Sequence, residues 1–381
     1  MQILYLSLSY VPSRRASSVQ VMNMCAALAR RGHEVTLVAK RSREPVADGQ
    51  ADHAFYGVEP NFTVDKVARP PWRGGGLVYA AGVTGRVARW RGRADLVYCR
   101  DLAGALIASE LGLPVVFEAH GLPEAAWQAH VWRRFASRSA FRGLVVISDA
   151  LRRDVEAAGL SLRGPVVVAH DAAAVRSERA PASARRGGAD GAPRVGYVGS
   201  LYPGRGVEIV VDLAARMPDV QFEVVGGTEV DLARWRAAGL PGNVRLHGFQ
   251  PPARVAAFYD RLDVVLLPHP RQGVTGATGT QDISRWTSPM KMFEYMASGV
   301  PVIASDLAVL QEILRHDHNA LIAPAGDVVA WEAAIRRLLG DADLRRRLAT
   351  TARHDVEREH TWDARAARVL DGLGLERIRC R

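Results

Sequence analysis

The feature that most constrains this chain is an alternation of short apolar runs with helical patterns, carried through twice. Residues 2–8 form an apolar run, and 19–31 follow with apolar residues at helical spacing (Val21, Met24, Cys25, Leu28). Gly32 stops that helix and 34–39 reads as the next strand. Further strand-like runs lie at 96–99, 114–117, 144–147 and 166–168, with helical patterns between most of them. Near-continuous apolar strands alternating with helices point to a parallel sheet covered on both faces. Residues 176–193 (RSERAPASARRGGADGAP) break the pattern, with no apolar period and the composition of a linker. The alternation then restarts: strand 195–198, helix 207–217, strand 221–225, helix 253–259, strand 264–267, helix 291–298, strand 302–304 and a largely helical C-terminus. A second Gly-, Thr- and Pro-rich stretch, 268–287, is expected to cover a site.

The layout predicts an α/β protein with two doubly wound, Rossmann-like domains. The expected bounds are 1–175, a linker at 176–193, 194–360, and a C-terminal helix at 361–381. A chain of 381 residues is longer than one hydrophobic core usually serves, and 48% hydrophobic residues are enough to fill two. Ligands of such sheets bind outside the carboxyl ends of the strands, so two domains facing each other would place a cleft between those ends.

No apolar run approaches the ~18 residues of a membrane-spanning helix. The apolar opening lacks a basic leader and a small-residue cleavage site, so it reads as a first strand, and a soluble, cytoplasmic protein is expected. Cys25, Cys99 and Cys380 are far apart and in no metal-ligand spacing; neither a disulfide framework nor a zinc site is suggested. The formal charge of +10 favours anionic partners without naming one. An arginine- and tryptophan-rich stretch (Arg86, Arg89, Trp90, Arg91, Arg93, then Trp127, Trp132, Arg133, Arg134, Arg138) admits two readings. One is peripheral contact with an anionic membrane at its inner face; the other is a solvated basic face with its tryptophans turned into the core.

Chemistry is concentrated in three places. In 288–305 (SPMKMFEYMASGVPVIAS), Ser288-Pro289 is expected to open a helix with Ser288 as its cap. The amide groups of a helix start form an anion site. Lys291 and Glu294, three apart, share one helix face, the cation placed for phosphate and the carboxylate one turn deeper for ribose hydroxyls. An ordinary capped helix with a surface Lys–Glu pair has the same spacing. Residues 198–206 (VGSLYPGRG) form a Gly-rich turn after the first strand of the second half, with Gly199 allowing close backbone approach and Arg205 able to bind phosphate bidentately. In 117–123 (FEAHGLP), His120 lies at a strand's carboxyl end, with Glu118 in position to order the loop.

The run FEYMASGVPVIAS resembles the C-terminal signature of family 4 of the glycosyltransferases, and the likeness extends over nearly the whole chain. The resemblance implies the GT-B fold, with the C-terminal helix crossing back to the N-terminal domain. It implies a nucleotide-sugar donor, a saccharide, lipid-linked or small-molecule acceptor, and retention at the anomeric carbon. UDP is the commonest donor nucleotide of that family and GDP the alternative. Glu294 is similar to the second glutamate of the family's paired motif, which holds the donor ribose; the first falls at Trp286, a departure bearing on sugar recognition. The family's Arg…Lys pair on the diphosphate is represented here by Ser200 and Arg205, so more of the charge falls on Arg205 and Lys291. The matching region places a histidine beside the donor sugar, a role carried to His120. Gly199, Ser200, Gly226, Gly248, Phe249, Ser288, Pro289 and Met290 fall in donor-lining segments. Ser17 and Ser18 stand where the family's first-strand loop has glycines that approach phosphate and acceptor.

With no carboxylate cluster in metal-ligand geometry, arginine, lysine and helix amides are left to stabilise the leaving group; no metal or cofactor is expected. A non-catalytic scaffold binding nucleotide sugar or a partner is the alternative that Trp286 and Ser200 raise. An NAD-dependent oxidoreductase would need G-x-G-x-x-G after the first strand, where SLSYVPSRRASS stands. A nucleic-acid-binding protein would need a helix-turn-helix, finger or aromatic sheet motif, and none is recognisable.

Overall fold

A computed structural model describes residues 1–42, 51–160, 163–175, 191–274 and 281–375. Most of the expected linker at 176–193, part of the stretch 268–287, and Cys380 lie outside the described residues. The chain divides into two compact units, one of Met1–His170 with Trp362–Arg381, the other of Asp171–Thr361.

In chain order the first unit has β1 (Gln2–Val11), α1 (Ala16–Arg30), β2 (Glu34–Arg41), α2 (Asp52–Tyr56), β3 (Thr63–Val67), α3 (Gly75–Arg89), β4 (Leu96–Cys99), α4 (Leu102–Glu110), β5 (Val115–Ala119), α5 (Ala126–Ala136), β6 (Phe141–Val146), α6 (Asp149–Ala157) and β7 (Val166–Val168). The second has β8 (Arg194–Val198), α7 (Val207–Arg216), β9 (Gln221–Val225), α8 (Glu229–Ala237), β10 (Val244–Gly248), α9 (Pro252–Tyr259), β11 (Val264–Leu267), α10 (Met290–Ser298), β12 (Val302–Ser305), β13 (Leu321–Ala323), α11 (Val328–Gly340) and α12 (Ala342–Glu359). Helix α13 (Trp362–Gly372) closes the described chain and groups with the first unit, against α1 and β7.

The sheet of the first unit runs β3-β2-β1-β4-β5-β6-β7 and that of the second β10-β9-β8-β11-β12-β13, with every registered pair parallel. In each, the order reverses beside the unit's first strand, between β1 and β4 and between β8 and β11. Those reversals open the crevices in which doubly wound sheets take ligands. Strands β4, β5, β11 and β12 are buried at every residue, as sheets covered on both faces require. The second core gathers Val195, Phe222, Val264 and Ile303 from the strands under Trp331 and Ile335 of α11.

Helix ends follow local chemistry. Asp101, Ser148 and Asp327 cap α4, α6 and α11 through side-chain oxygens, and Thr228 with Asp231 forms a capping box on α8. Two expectations are corrected here. Helix α1 begins at Ala16, so Ser17 and Ser18 lie inside its first turn and not in a loop before it. Helix α10 begins at Met290 with Pro289 at its N-cap and no side-chain cap, so Ser288 stands one residue outside the capping position. Of the tryptophans, Trp132 is packed against Phe117 and Phe135, whereas Trp127 is 65% exposed and not in the core.

Candidate functional site

In the second unit three strand ends lie side by side as glycines. The Gly199 amide donates to the Val225 carbonyl and the Gly226 amide to the Gly248 carbonyl, both at 2.8 Å. A Cβ on Gly226 (φ +124°) would stand 2.0 Å from the Gly199 carbonyl oxygen, so no larger residue fits there. A Cβ on Gly199 would meet the Lys291 side chain at 3.3 Å. Lysine and strand end therefore touch.

Helix α10 is fixed to the end of β8 by one side chain. The Tyr295 hydroxyl accepts from the Val198 amide at 2.8 Å and donates to the Val198 carbonyl at 2.9 Å. This clamp sets the uncapped start of α10 beside the 199–206 turn. Lys291 reaches back across it, its Nζ 3.1 Å from the Tyr197 hydroxyl and 4.4 Å from the centre of the Tyr197 ring. Arg205 donates to the Tyr202 hydroxyl at 2.5 Å and lies over the Tyr202 ring at 4.7 Å.

The electrostatics couple these groups. Burial first, and then the Arg205 guanidinium, hold the Lys291 ammonium well below the usual lysine range, with Glu294 opposing. Burial raises the Glu294 carboxyl to about 7; Lys291 opposes the rise and Asp171 adds to it. The structure thus brings Arg205, Lys291 and Glu294 into one field at the carboxyl ends of β8 and β11. Two positive groups, an uncapped helix start and a carboxylate one turn deeper can hold an anion with a hydroxyl-bearing neighbour.

The remaining expected residues divide. Gly199, Gly226 and Gly248 form the strand-end row, and half-buried Phe249 and Met290 lie in the adjoining segments. Ser200 is exposed, and its carbonyl accepts from the Tyr197 hydroxyl at 2.7 Å. Ser288 is corrected in role as well as position: its hydroxyl accepts from the Asp171 amide at 2.8 Å, holding the start of this unit to the residue before Pro289.

In the first unit His120 follows β5 and belongs to a buried ionic group. Glu118, wholly buried, accepts from Gln20 Nε2 at 2.8 Å and from the Tyr98 hydroxyl, and is paired with Arg365 of α13 at 3.1 Å. The His120 Nε2 lies 2.8 Å from Glu118 Oε1 and 2.6 Å from Arg100 Nη2. That nitrogen either donates to Glu118 or accepts from Arg100, so the tautomer decides which residue orients the ring. Arg100, directly after β4, is further held by Gln20 Oε1 at 2.7 Å and the Ser17 carbonyl at 3.1 Å. Burial works to raise the Glu118 carboxyl, but Arg365, His120 and Arg100 outweigh it and keep it well below the carboxylate range. Ser18 is corrected: its hydroxyl donates to the Arg15 carbonyl at 2.7 Å and its amide to the same oxygen at 3.0 Å, so neither group is turned to a phosphate.

Sequence reasoning missed Arg100, Gln20, Asp171 and His269. Arg100 and His269 sit just beyond β4 and β11, and the strand-end rule that singled out His120 would have found both. Gln20 and Asp171 carry no such signal.

Two doubly wound units of this topology are those of the GT-B fold. Residues 17–171 match the family model described as Glycosyltransferase Family 4, and residues 205–371 match the model described as Glycosyl transferase-like. Each model matches less than half of the chain, and both describe glycosyltransferases. The chain is 28% identical to the GDP-mannose-dependent alpha-mannosyltransferase of Mycolicibacterium smegmatis over 95% of this chain and 94% of that protein. It is 32% identical to the amylovoran biosynthesis glycosyltransferase AmsK of Erwinia amylovora over 34% of this chain and 31% of that one. Against two mycobacterial phosphatidyl-myo-inositol mannosyltransferases it spans about half of their length, 46% and 47%. Among solved structures, HepE of Anabaena in complex with UDP and glucose superposes with a TM-score of 0.72 at 19% identity, over 98% of this chain and 99% of that one. No described helix is long and apolar enough to cross a membrane.

Proposed function

We propose that the protein transfers a sugar from a nucleoside-diphosphate sugar to a saccharide, lipid-linked or small-molecule acceptor, with retention at the anomeric carbon and without a metal ion. The observation that carries this reading is the shared field of Arg205 and Lys291, with Lys291 reaching from the uncapped start of α10 to Gly199 and Glu294 one turn deeper. Breaking the bond between the sugar C1 and the diphosphate oxygen leaves negative charge on the departing phosphates. Arg205, Lys291 and the α10 amides supply the preorganised donors for that charge. The Glu294 carboxylate accepts the ribose hydroxyls. The acceptor oxygen bonds to C1 on the face the diphosphate leaves, and its proton passes to the departing phosphate oxygen. His120, oriented by Glu118 and Arg100, serves the transferred sugar. UDP is the favoured base and GDP the alternative; a relative named as GDP-mannose-dependent and a neighbour solved with UDP keep both in play.

The test is turnover of the purified chain on UDP- and GDP-sugars, chosen after a thermal-stabilisation screen with UDP, GDP, ADP and TDP. Arg205→Ala and Glu294→Ala are expected to lose on the order of 10²-fold in turnover or donor affinity with the fold intact. Wild-type turnover in either variant removes the site assignment.

A further inference from the structure

Buried against the turn that carries Arg205 lies a side chain that the proposed chemistry has not used. Strand β11 ends at Leu267 and the chain turns at once, the His269 amide donating to the Leu267 carbonyl at 3.0 Å. The turn puts the imidazole inside the unit at 0% exposure. Neither ring nitrogen has a hydrogen-bond partner. A neutral imidazole carries one N–H donor and one acceptor, and a buried polar group left unmet destabilises the fold. Such a group ordinarily has a reason to be there.

Its surroundings suggest the reason. Strands β8 and β11 flank the reversal of the sheet, and the residues after them are pressed together. A Cβ on Gly206 would stand 1.6 Å from the Pro268 carbonyl oxygen, and one on Gly204 2.0 Å from the Gly273 carbonyl oxygen. The histidine segment is therefore packed on the turn that carries Arg205. Burial, then Lys291 and Arg205, hold the ring well below the usual histidine range, so the imidazole is neutral and within the field of both cations. A neutral ring with an unused N–H in the field of two cations is complemented by an anion bearing several oxygen acceptors.

We infer that His269 is a third ligand of the donor's diphosphate, donating a ring N–H to its oxygens alongside Arg205 and Lys291. The inference rests on the donor-site reading above, and the two can fail separately.

The full chain is titrated by calorimetry with UDP, GDP and the corresponding nucleosides. His269→Phe keeps a ring of similar shape without the unmet nitrogens, so its melting temperature in the absence of nucleotide is expected to equal or exceed the wild type's. Its affinity for the nucleoside diphosphate is expected to fall about tenfold or more, with affinity for the bare nucleoside unchanged. His269→Gln, which restores an N–H donor, is expected to recover most of the loss and covers the case of a poorly folded phenylalanine variant. Diphosphate binding at wild-type strength in His269→Phe overturns the inference while leaving the donor site standing, as does an equal loss with glutamine or with the nucleoside. If the wild type binds neither UDP nor GDP, or Arg205→Ala binds them unchanged, it is the donor-site reading that fails.

Discussion

Replacing Arg365 by methionine tests the buried charge group of the first unit. Arg365 is 1% exposed at its side chain and Glu118 is 0%. The substitution removes the 3.1 Å ion pair and the bonds from the guanidinium to the His170 and Ala169 carbonyls at 2.9 and 3.2 Å. Coulomb's law at that separation with an effective dielectric of about 20 gives roughly 5 kcal/mol. Removing one partner of a buried pair is known to cost about 3–5 kcal/mol. Arg100 still stands 3.5 Å from Glu118, so the lower end, about 3 kcal/mol, is expected. For a unit of this size that is a fall of roughly 6–12 °C in its melting transition, read by scanning calorimetry with hydrogen exchange on β5 to assign the transition.

The pH dependence has a definite sign. In the wild type the Glu118 carboxyl is depressed, so its contribution is present above the unfolded value of about 4.3 and is lost as pH falls through the lower folded value. In the variant the same carboxyl loses its strongest cation and burial drives it upward, so it binds a proton more readily folded than unfolded. The variant's deficit therefore shrinks between pH 7 and pH 5. Pairing Arg365→Met with Glu118→Gln is expected to recover most of the loss at pH 7. A single variant within 1 kcal/mol of wild type at neutral pH, or a deficit that ignores pH, would falsify the charge argument.

Glu294, raised to about 7, implies that the carboxylate able to accept ribose hydroxyls is only about half populated at neutral pH in the free protein. Nucleotide affinity is expected to contain a component that strengthens as pH rises through 7, measured by calorimetric titration and absent in Glu294→Gln; its persistence there assigns it elsewhere. Gly206→Ala places a Cβ 1.6 Å from the Pro268 oxygen at φ +75°, and several kcal/mol of destabilisation with loss of nucleotide binding is expected. Gly239→Ala, at φ +78° with nothing within 4 Å, is the control and is expected to cost only about 1 kcal/mol; equal melting temperatures for the two refute the close-approach argument. His120→Asn is expected to lower turnover on the order of 10²-fold with nucleotide affinity unchanged, and weakened nucleotide binding there counts against its role at the sugar.

The parallel sheets were legible because buried strands advertise themselves: LVYC, VVV, QFEVV and VVLL each became a strand over those residues. The strands overlooked lie toward the outer edges of the sheets. β3 (TVDKV) and β10 (VRLHG) are only partly buried and mix polar with apolar residues, while β13 has three residues, too few for a periodic signal. Within the site, spacing along one helix gave Lys291 with Glu294, and a Gly-rich turn gave Arg205. Ser288 was misassigned because a serine before proline reads as a cap by local rules, whereas the Asp171 amide claims its hydroxyl. No local rule shows that claim, because residue 171 is distant in sequence. The pairing of Glu118 with Arg365 was invisible for the same reason.

The position of α13 has a consequence for synthesis. Arg365 lies 196 residues beyond the Ala169 carbonyl that it bonds. At roughly 5–20 residues per second a ribosome needs on the order of ten to forty seconds to bridge that interval. For all of that time the nascent first unit holds Glu118 with Arg100 beside it but without its second guanidinium, Arg365. The first unit is thus closed only after the second has been made, and a chain stalled before α13 leaves exposed the faces of α1 and β7 on which that helix packs.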